Sequence, residues 1–160
     1  MVTVGLTGSD TGLTLLCMIR EVEAADYNAW SKLWQGYLSF YRAQLSETVT
    51  ARTFDRLIKQ TDGMVGLVAV GNDGELLGFA HLVFHPSTWS ETSYCYLEDL
   101  FVSHASRGTS IGRELIQATY DEADRRGATN TYWQTQQYNG AARSLYDQVA
   151  RPTSFVIYQR

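Results

Sequence analysis

The segment at residues 107–113, RGTSIGR, combines small and basic residues between a predicted strand and a predicted helix. A small-residue turn at a helix N-terminus presents several main-chain N–H groups in one concavity, where the helix dipole adds positive potential. This arrangement suits an anion, most naturally a diphosphate. The chain contains neither GxxxxGK[ST] nor GxGxxG, so a P-loop and a dinucleotide-binding turn are both excluded.

Glu98 is the candidate general base. It lies in a predicted strand, residues 94–102, whose other side chains are mostly apolar. A partly buried carboxylate has a raised pKa and can accept a proton near neutral pH. The strand period of two places Glu98 on the face of Leu100 and Val102. Asp99 is then predicted to point to the opposite face and to make structural hydrogen bonds.

The elements that must position these groups follow from hydrophobic periodicity and turn residues. Asp26 and Asn139 are predicted N-caps, Gly127 is a predicted C-cap, and GNDG at residues 71–74 predicts a hairpin turn. The predicted order is β-α-α-β-β-β-α-β-α-β, with strands at residues 15–22, 64–70, 76–84, 94–102, 129–135 and 154–159. Early hairpins and a later βαβ crossover predict an α/β (α+β mixed) fold, one mixed sheet with helices on both faces.

At 160 residues and a formal net charge of −4, the chain suits one domain whose core needs no disulfide or metal. Residues 1–14, rich in Gly, Thr and Ser, are predicted to be a flexible N-terminal extension, and residues 15–160 a single domain. The acidic balance and the lack of a Lys/Arg cluster argue against nucleic acid as a partner and favour a cationic substrate.

Cys17 and Cys95 lie in apolar contexts and in no metal-ligand spacing. They are predicted to be buried thiols of a reducing compartment, which indicates a cytoplasmic protein without a metal site. No apolar run approaches the length of a membrane span, so no membrane association is expected.

Four segments with family-like patterns occur in order. YLEDLFV at 96–102 precedes RGTSIG at 107–112, and YWQT at 132–135 and NGAARSLY at 139–146 follow. RGTSIG is close to R/Q-x-x-G-x-G/A, with Ser110 where Gly is usual. Together the segments resemble the GNAT superfamily of N-acetyltransferases over about residues 67–160.

The resemblance implies a central, partly splayed sheet and acetyl-CoA as cosubstrate. Main-chain groups of the strand around Phe101 would bind the pantetheine arm, the turn would hold the diphosphate, and Asn139 would reach the pantetheine. The residues implied in cofactor binding are Leu100, Phe101, Val102, Arg107, Gly108, Thr109, Ser110, Ile111, Gly112, Arg113, Asn139 and Tyr146.

By the same resemblance, Tyr146 would protonate the departing thiolate, although it also fits the apolar stripe of its helix. Glu98 matches a catalytic glutamate of polyamine acetyltransferases, whereas many relatives deprotonate the amine through ordered water. Trp34 and Tyr37, together with Tyr41, are candidates for lining the acceptor site under the first two helices. Trp89, in a polar loop, is a further candidate for substrate contact.

The resemblance implies acetyl transfer to a primary amine, and we expect that amine to belong to a small molecule, such as a polyamine or amino acid, that attacks directly in a ternary complex. Two alternatives are a protein or histone lysine acetyltransferase and a non-catalytic acyl-CoA-binding module. Small members of the superfamily often dimerise through C-terminal strands, and FVIY at residues 155–158 predicts such an edge. A homodimer is therefore expected.

Overall fold

The computed structural model describes residues 17–160, so the predicted extension at residues 1–14 lies outside the described residues. Five strands form one sheet in the order β1-β2-β3-β4-β5. The strands are β1 Met18–Glu21, β2 Met64–Val70, β3 Leu76–Pro86, β4 Ser93–Val102 and β5 Asn130–Trp133. The helices are α1 Tyr27–Phe40, α2 Glu47–Lys59, α3 Ile111–Arg125 and α4 Gly140–Val149.

The sheet is mixed, as predicted. The first four strands pair antiparallel, and β4 pairs with β5 in parallel through the crossover that contains α3. The predicted hairpin turn joins β2 to β3, where the N–H of Gly74 donates to the carbonyl of Gly71 at 3.0 Å. The predicted α/β architecture is confirmed.

Two hydrophobic clusters lie on opposite faces of the sheet. On one face, Trp30, Trp34 and Leu38 of α1 pack with Phe54 and Leu57 of α2. On the other face, α3 contributes four buried side chains and α4 packs against them at the periphery. These contributions from α3 are Ile111, Leu115, Ile116 and Ala123. Burial of these apolar helix faces stabilises the helices and holds the sheet between them.

A β-bulge in β4 places Asp99 on the other face of the sheet from the one predicted. The pairing with β3 shifts between His81 and Leu82, so that Asp99 faces His81, Leu97 faces Leu82, and Glu98 is the extra residue. A bulge inserts one residue and interrupts the alternation of faces.

The packing of the residues on either side of the bulge shows which face of the sheet each side chain occupies. Leu97 and Leu100 both pack in the α3 cluster, whereas Phe101 packs in the α1 cluster. Both intervening carboxylates, Glu98 and Asp99, therefore project toward the α1 side. The prediction that Asp99 and Glu98 occupy opposite faces, with Leu100 and Val102 on the face of Glu98, is wrong because it assumed an unbroken strand.

The predicted last strand is also wrong. Residues after Val149 form no strand, and Phe155, Val156, Ile157 and Tyr158 are 85%, 71%, 65% and 93% exposed. The apolar pattern of this segment is strand-like, but a strand forms only where another edge accepts its hydrogen bonds. Within residues 17–160, none of the helices is long and apolar enough to cross a membrane.

Candidate active site

A cleft opens where β4 and β5 separate. Their parallel pairing covers only Tyr94 to Leu97 of β4, while β4 continues to Val102. The edge of β4 beyond the bulge therefore faces a gap, and a cleft of about 350 Å³ lies there. Its lining includes Tyr37, Phe40, Tyr41, Leu100, Phe101, Val102, Arg107, Gly108, Thr109, Gly112, Asn139, Leu145 and Tyr146.

The predicted phosphate-binding turn forms one end of this cleft. Gly108 has a φ of +78°, which a residue with a Cβ adopts only with strain. Ser110 has a φ of −72°, so its backbone conformation does not require the glycine that is usual there. The first N–H groups of α3 have no intrahelical acceptors, because they start the helix. The backbone of the turn thus stays compatible with the predicted anion site despite Ser110.

The Ser110 side chain does not cap α3. Its hydroxyl donates to the carboxylate of Glu114, which also lies 2.8 Å from the Cys17 sulfur. The neighbouring Thr109 hydroxyl donates to the Ser106 carbonyl at 2.7 Å and lies 3.5 Å from the Ile111 nitrogen. Burial and Glu114 together raise the pKa of Cys17 to about 12, so this thiol stays protonated.

The other predicted cofactor residues divide by position. Ile111 is fully buried in the α3 cluster, so only its main chain is available to a ligand. The Arg107 guanidinium lies over the rings of Phe40 and Phe101, at 5.6 Å and 5.7 Å. Arg113 points instead toward α4, where it donates to the Gln148 side chain. The positive charge nearest the cleft is therefore that of Arg107.

Asn139 caps α4, as predicted, and also lines the cleft. Its side-chain oxygen accepts from the Ala142 N–H at 3.4 Å, and its amide donates to the Thr135 hydroxyl at 3.3 Å. These two bonds fix the loop between β5 and α4 at the cleft wall.

Tyr146 lies at the inner side of the cleft. Its ring meets Trp133 edge-on, with centroids 5.4 Å apart, so it packs against the core as well as lining the cavity. Burial raises its pKa to about 12, with Tyr41 contributing. At neutral pH the hydroxyl is therefore protonated and able to donate a proton.

Glu98 and Asp99 lie on the α1 side of β4, next to the residues that line the cleft but not among them. Glu98 keeps an exposed surface, yet partial loss of hydration raises its pKa and the adjacent Asp99 raises it further. Asp99 is less exposed and lies 2.9 Å from the Nδ1 atom of His81. In the described part of the chain, neither carboxylate forms an ion pair with a Lys or Arg side chain. This region is consequently acidic and suits a cation.

Tyrosines surround the two carboxylates. Burial, followed by Asp99, raises the pKa of both Tyr37 and Tyr41. Tyr96 stacks on Tyr132 with centroids 4.9 Å apart, and its pKa is raised to about 12, chiefly by burial and then by Glu98. Tyr96 and Tyr132 were not among the predicted site residues. Their alternation with Glu98 and their positions on neighbouring parallel strands are the signal that would have found them.

The two tryptophans predicted to contact substrate have different environments. Trp34 is only 5% exposed and stacks on Tyr37, so it supports that ring from within the core rather than lining the site. Trp89 is 87% exposed in the loop between β3 and β4, and its role stays a prediction. The prediction that Trp34 lines the acceptor site is therefore wrong, because Trp34 lies with Trp30 on the face of α1 that packs into the core.

His81, which is 2% exposed on the α1 side of β3, was also not among the predicted site residues. Its Nε2 atom lies 2.9 Å from the indole nitrogen of Trp30. A histidine inside the otherwise apolar run GFAHLVF must find partners for both ring nitrogens, and this need was the available signal.

A family model described as "Acetyltransferase (GNAT) family" matches residues 28–150. The chain is 35% identical to the D-amino-acid N-acetyltransferase HPA3 of Saccharomyces cerevisiae, over 89% of each chain. It is 29% identical to the aminoglycoside N(6')-acetyltransferase type 1 of Klebsiella aerogenes, over 81% of this chain and 85% of that one. The fold is similar to the aminoglycoside acetyltransferase AAC(6')-Iy solved with a bisubstrate analogue, with a TM-score of 0.78 at 18% identity over 91% of this chain and 97% of that one.

Proposed function

This chain belongs to the GNAT family of N-acetyltransferases, and from that premise we propose that it acetylates a primary amine of a small molecule by direct attack in a ternary complex. Acetyl-CoA, the cosubstrate of the family, supplies the acetyl group as a thioester. The observation that carries the proposal is the continuous cleft that joins the turn at Gly108 to Tyr146 along the open edge of β4.

Different residues of this cleft would bind different parts of acetyl-CoA. Main-chain N–H groups of the turn between Gly108 and Gly112 would hold the diphosphate, with Arg107 adding charge. The open edge at Leu100, Phe101 and Val102 would pair with the amide groups of the pantetheine arm. In this arrangement the thioester end would lie toward Tyr146.

Two side chains would move the protons of the reaction. Glu98 accepts a proton from the acceptor ammonium, directly or through water, because only the neutral amine is a nucleophile. The amine nitrogen would then bond to the acetyl carbon as the carbon–sulfur bond breaks, and the Tyr146 hydroxyl would donate a proton to the departing thiolate. The nitrogen would lose its second proton to the Tyr146 oxygen, through water, which restores the tyrosine, and Glu98 would release the first proton to solvent.

A small cationic acceptor is favoured over a protein lysine. Two relatives are named for D-amino acids and aminoglycosides, which are small amines. The paired carboxylates Glu98 and Asp99 suit a positively charged acceptor, and the surrounding tyrosines suit enclosure of a small molecule. A lysine in a protein chain, and binding of acyl-CoA without turnover, are the alternatives that experiment must separate.

One assay tests the function. Thermal stability of the purified protein is measured with and without acetyl-CoA, and thiol release is then followed with polyamines, D- and L-amino acids, aminoglycosides and a histone-tail peptide. We expect stabilisation by acetyl-CoA and thiol release with one small-amine class. Stabilisation without release would favour a binding module, and release with the peptide alone would favour a protein lysine acetyltransferase.

The turn gives a prediction on cofactor affinity. Gly108→Ala forces a Cβ into a left-handed conformation, which costs about 1–2 kcal/mol and distorts the anion site. We expect the Kd for acetyl-CoA, measured by titration calorimetry, to rise roughly tenfold.

Gly74→Ala is the matched control. Gly74 has a φ of +80°, and like Gly108 it has no atom within 4 Å of an added Cβ, but it lies in the hairpin between β2 and β3. The control should lose similar stability and keep the wild-type affinity. Equal affinities for both variants would contradict a role of the Gly108 turn in binding.

We also propose that the protein is a homodimer. The apolar segment from Phe155 to Tyr158 is exposed, and burial of such a patch favours association. Sedimentation should give twice the chain mass for the wild type and a single chain mass for Ile157→Asp. A wild-type monomer at assay concentrations would contradict the proposal.

We propose a cytoplasmic location, supported by the absence of a disulfide between Cys17 and Cys95, the free thiols of the described residues. Imaging of the tagged full chain in its native cell would test this. Accumulation of the tagged chain outside the cytoplasm would contradict it.

A further inference from the structure

We propose that His81 is a positioning residue that, with Trp30, holds the Asp99 carboxylate toward the ammonium of the acceptor. The inference rests on the proposed function, since it assigns a role on the acceptor side of that active site. It is carried by three residues from α1, β3 and β4 that meet in one line of hydrogen bonds.

The protonation of His81 follows from its partners. The Trp30 indole has only a donor to offer, so the His81 Nε2 atom, 2.9 Å away, must accept and carry no proton. The Nδ1 atom of a neutral ring then bears the hydrogen, which it donates to the Asp99 oxygen at 2.9 Å. Trp30 thereby sets the tautomer, and the tautomer sets the direction of the bond to Asp99.

The surroundings leave His81 little freedom to move. Trp30 is fully buried, His81 is 2% exposed, and the imidazole stacks on Phe79 with centroids 4.4 Å apart. Rotation of the ring would leave a buried donor or acceptor without a hydrogen-bond partner, which is unfavourable. The His81 ring is therefore a rigid support for Asp99.

Asp99 is the end of this line that faces the acceptor. The bulge turns it to the same side as Glu98. The pKa of Tyr37 is raised by burial and then by the Asp99 carboxylate, which lies beside its hydroxyl. Among the described residues, the neutral His81 ring donates a hydrogen bond to it, and no Lys or Arg side chain forms an ion pair with it. His81 thus fixes one carboxylate oxygen and the Tyr37 hydroxyl lies beside the carboxylate, and a carboxylate has further lone pairs that can accept from an ammonium.

The division of labour between the two carboxylates follows from their supports. Glu98 is the extra residue of the bulge and is more exposed, which suits a group that must exchange protons with water. Asp99 is held from behind, which suits a group that must keep a fixed position. Asp99 binds and orients the amine, and Glu98 takes its proton.

Two isosteric variants separate the two bonds of His81. In His81→Asn, the amide nitrogen replaces Nδ1 and keeps the donor to Asp99 but loses the acceptor for Trp30. In His81→Gln, the amide oxygen replaces Nε2 and keeps the acceptor for Trp30 but loses the donor to Asp99. Each leaves one buried partner unsatisfied, so both should lose similar stability in thermal unfolding.

Steady-state kinetics with the best amine then gives the test. We expect His81→Gln and Asp99→Asn each to raise the amine KM about tenfold, and the double variant to do no worse than either, because both act through one contact. His81→Asn should keep the amine KM within about twofold of wild type, and all variants should keep the Kd for acetyl-CoA. Equal amine KM values for His81→Asn and His81→Gln would overturn the inference.

NMR spectroscopy can determine which His81 ring nitrogen carries the proton, without any substrate turnover. Long-range ¹H–¹⁵N correlation spectra of the full chain should show a neutral His81 protonated at Nδ1, and Trp30→Phe should broaden or change this signature. A wild-type ring protonated at Nε2 would overturn the inference on its own. If the wild type released no thiol with any amine, the proposed function would fail, and the acceptor role of Asp99 with it, while the spectra would still report the His81 tautomer.

Discussion

Replacing Tyr146 with Phe should lower kcat roughly a hundredfold, the lower end of what a positioned general acid contributes. The raised pKa of about 12 keeps the Tyr146 hydroxyl protonated throughout the neutral range, so the wild-type proton donor is always present there. Phe retains the ring that meets Trp133 and removes only the hydroxyl. Stopped-time assays of thiol release at saturating amine and acetyl-CoA would measure the loss.

Tyr120→Phe provides the matched control for this variant. Tyr120 is a half-buried tyrosine of α3 whose hydroxyl donates to the Val149 carbonyl at 3.0 Å, away from the cleft. Its loss should cost stability and leave kcat near the wild-type value. If Tyr146→Phe kept wild-type kcat with an unchanged Kd for acetyl-CoA, Tyr146 would be a packing residue only.

Replacing Glu98 with Gln should lower kcat/KM for the amine by roughly 10²-fold or more at neutral pH, because the general base is lost. In the wild type, activity should rise as pH passes through the raised pKa of Glu98, since the ionised form accepts the proton. The variant should lack this acidic limb. A pH–rate profile from pH 5 to 9 would measure both effects, and an identical limb in both proteins would remove Glu98 from the mechanism.

The same substitution should not destabilise the fold. Glu98 has a folded-state pKa above its usual value because of lost hydration and the nearby Asp99, so its ionised form is disfavoured in the folded chain. Such a group contributes stability at low pH and loses it as pH rises through the folded-state pKa. The unfolding free energy of Glu98→Gln at pH 7 should therefore equal or exceed that of wild type. A clear loss in urea denaturation would mean that Glu98 has a structural role.

The backbone of the site was largely predictable because its signals are local. The glycine at 108 and the strand and helix on either side fall within one short stretch, and each obeys a local rule of conformation. The same is true of the Asn139 cap and of the hairpin turn that contains Gly74. The fold could be predicted because the order of these strands and helices indicates one mixed sheet with helices on both faces.

The errors came from contacts between distant residues. The bulge at Glu98 depends on how β4 pairs with β3, and no local pattern in the sequence of the strand predicts it. The apolar run from Phe155 to Tyr158 has the composition of a strand but pairs with no other strand of the described chain. The hydrogen bond between Trp30 and His81 joins residues 51 positions apart, so only the folded chain brings them together.

The bulge has a genetic consequence. Since Glu98 is the inserted residue, removing it would leave Leu97, Asp99, Leu100 and Phe101 in strict alternation, each still facing the cluster or partner that it faces now. An in-frame deletion of one codon would thus erase the candidate base while keeping both cores and the cofactor turn. If Glu98 is the base, the loss of three nucleotides should weaken proton removal from the amine and leave the binding of acetyl-CoA in place.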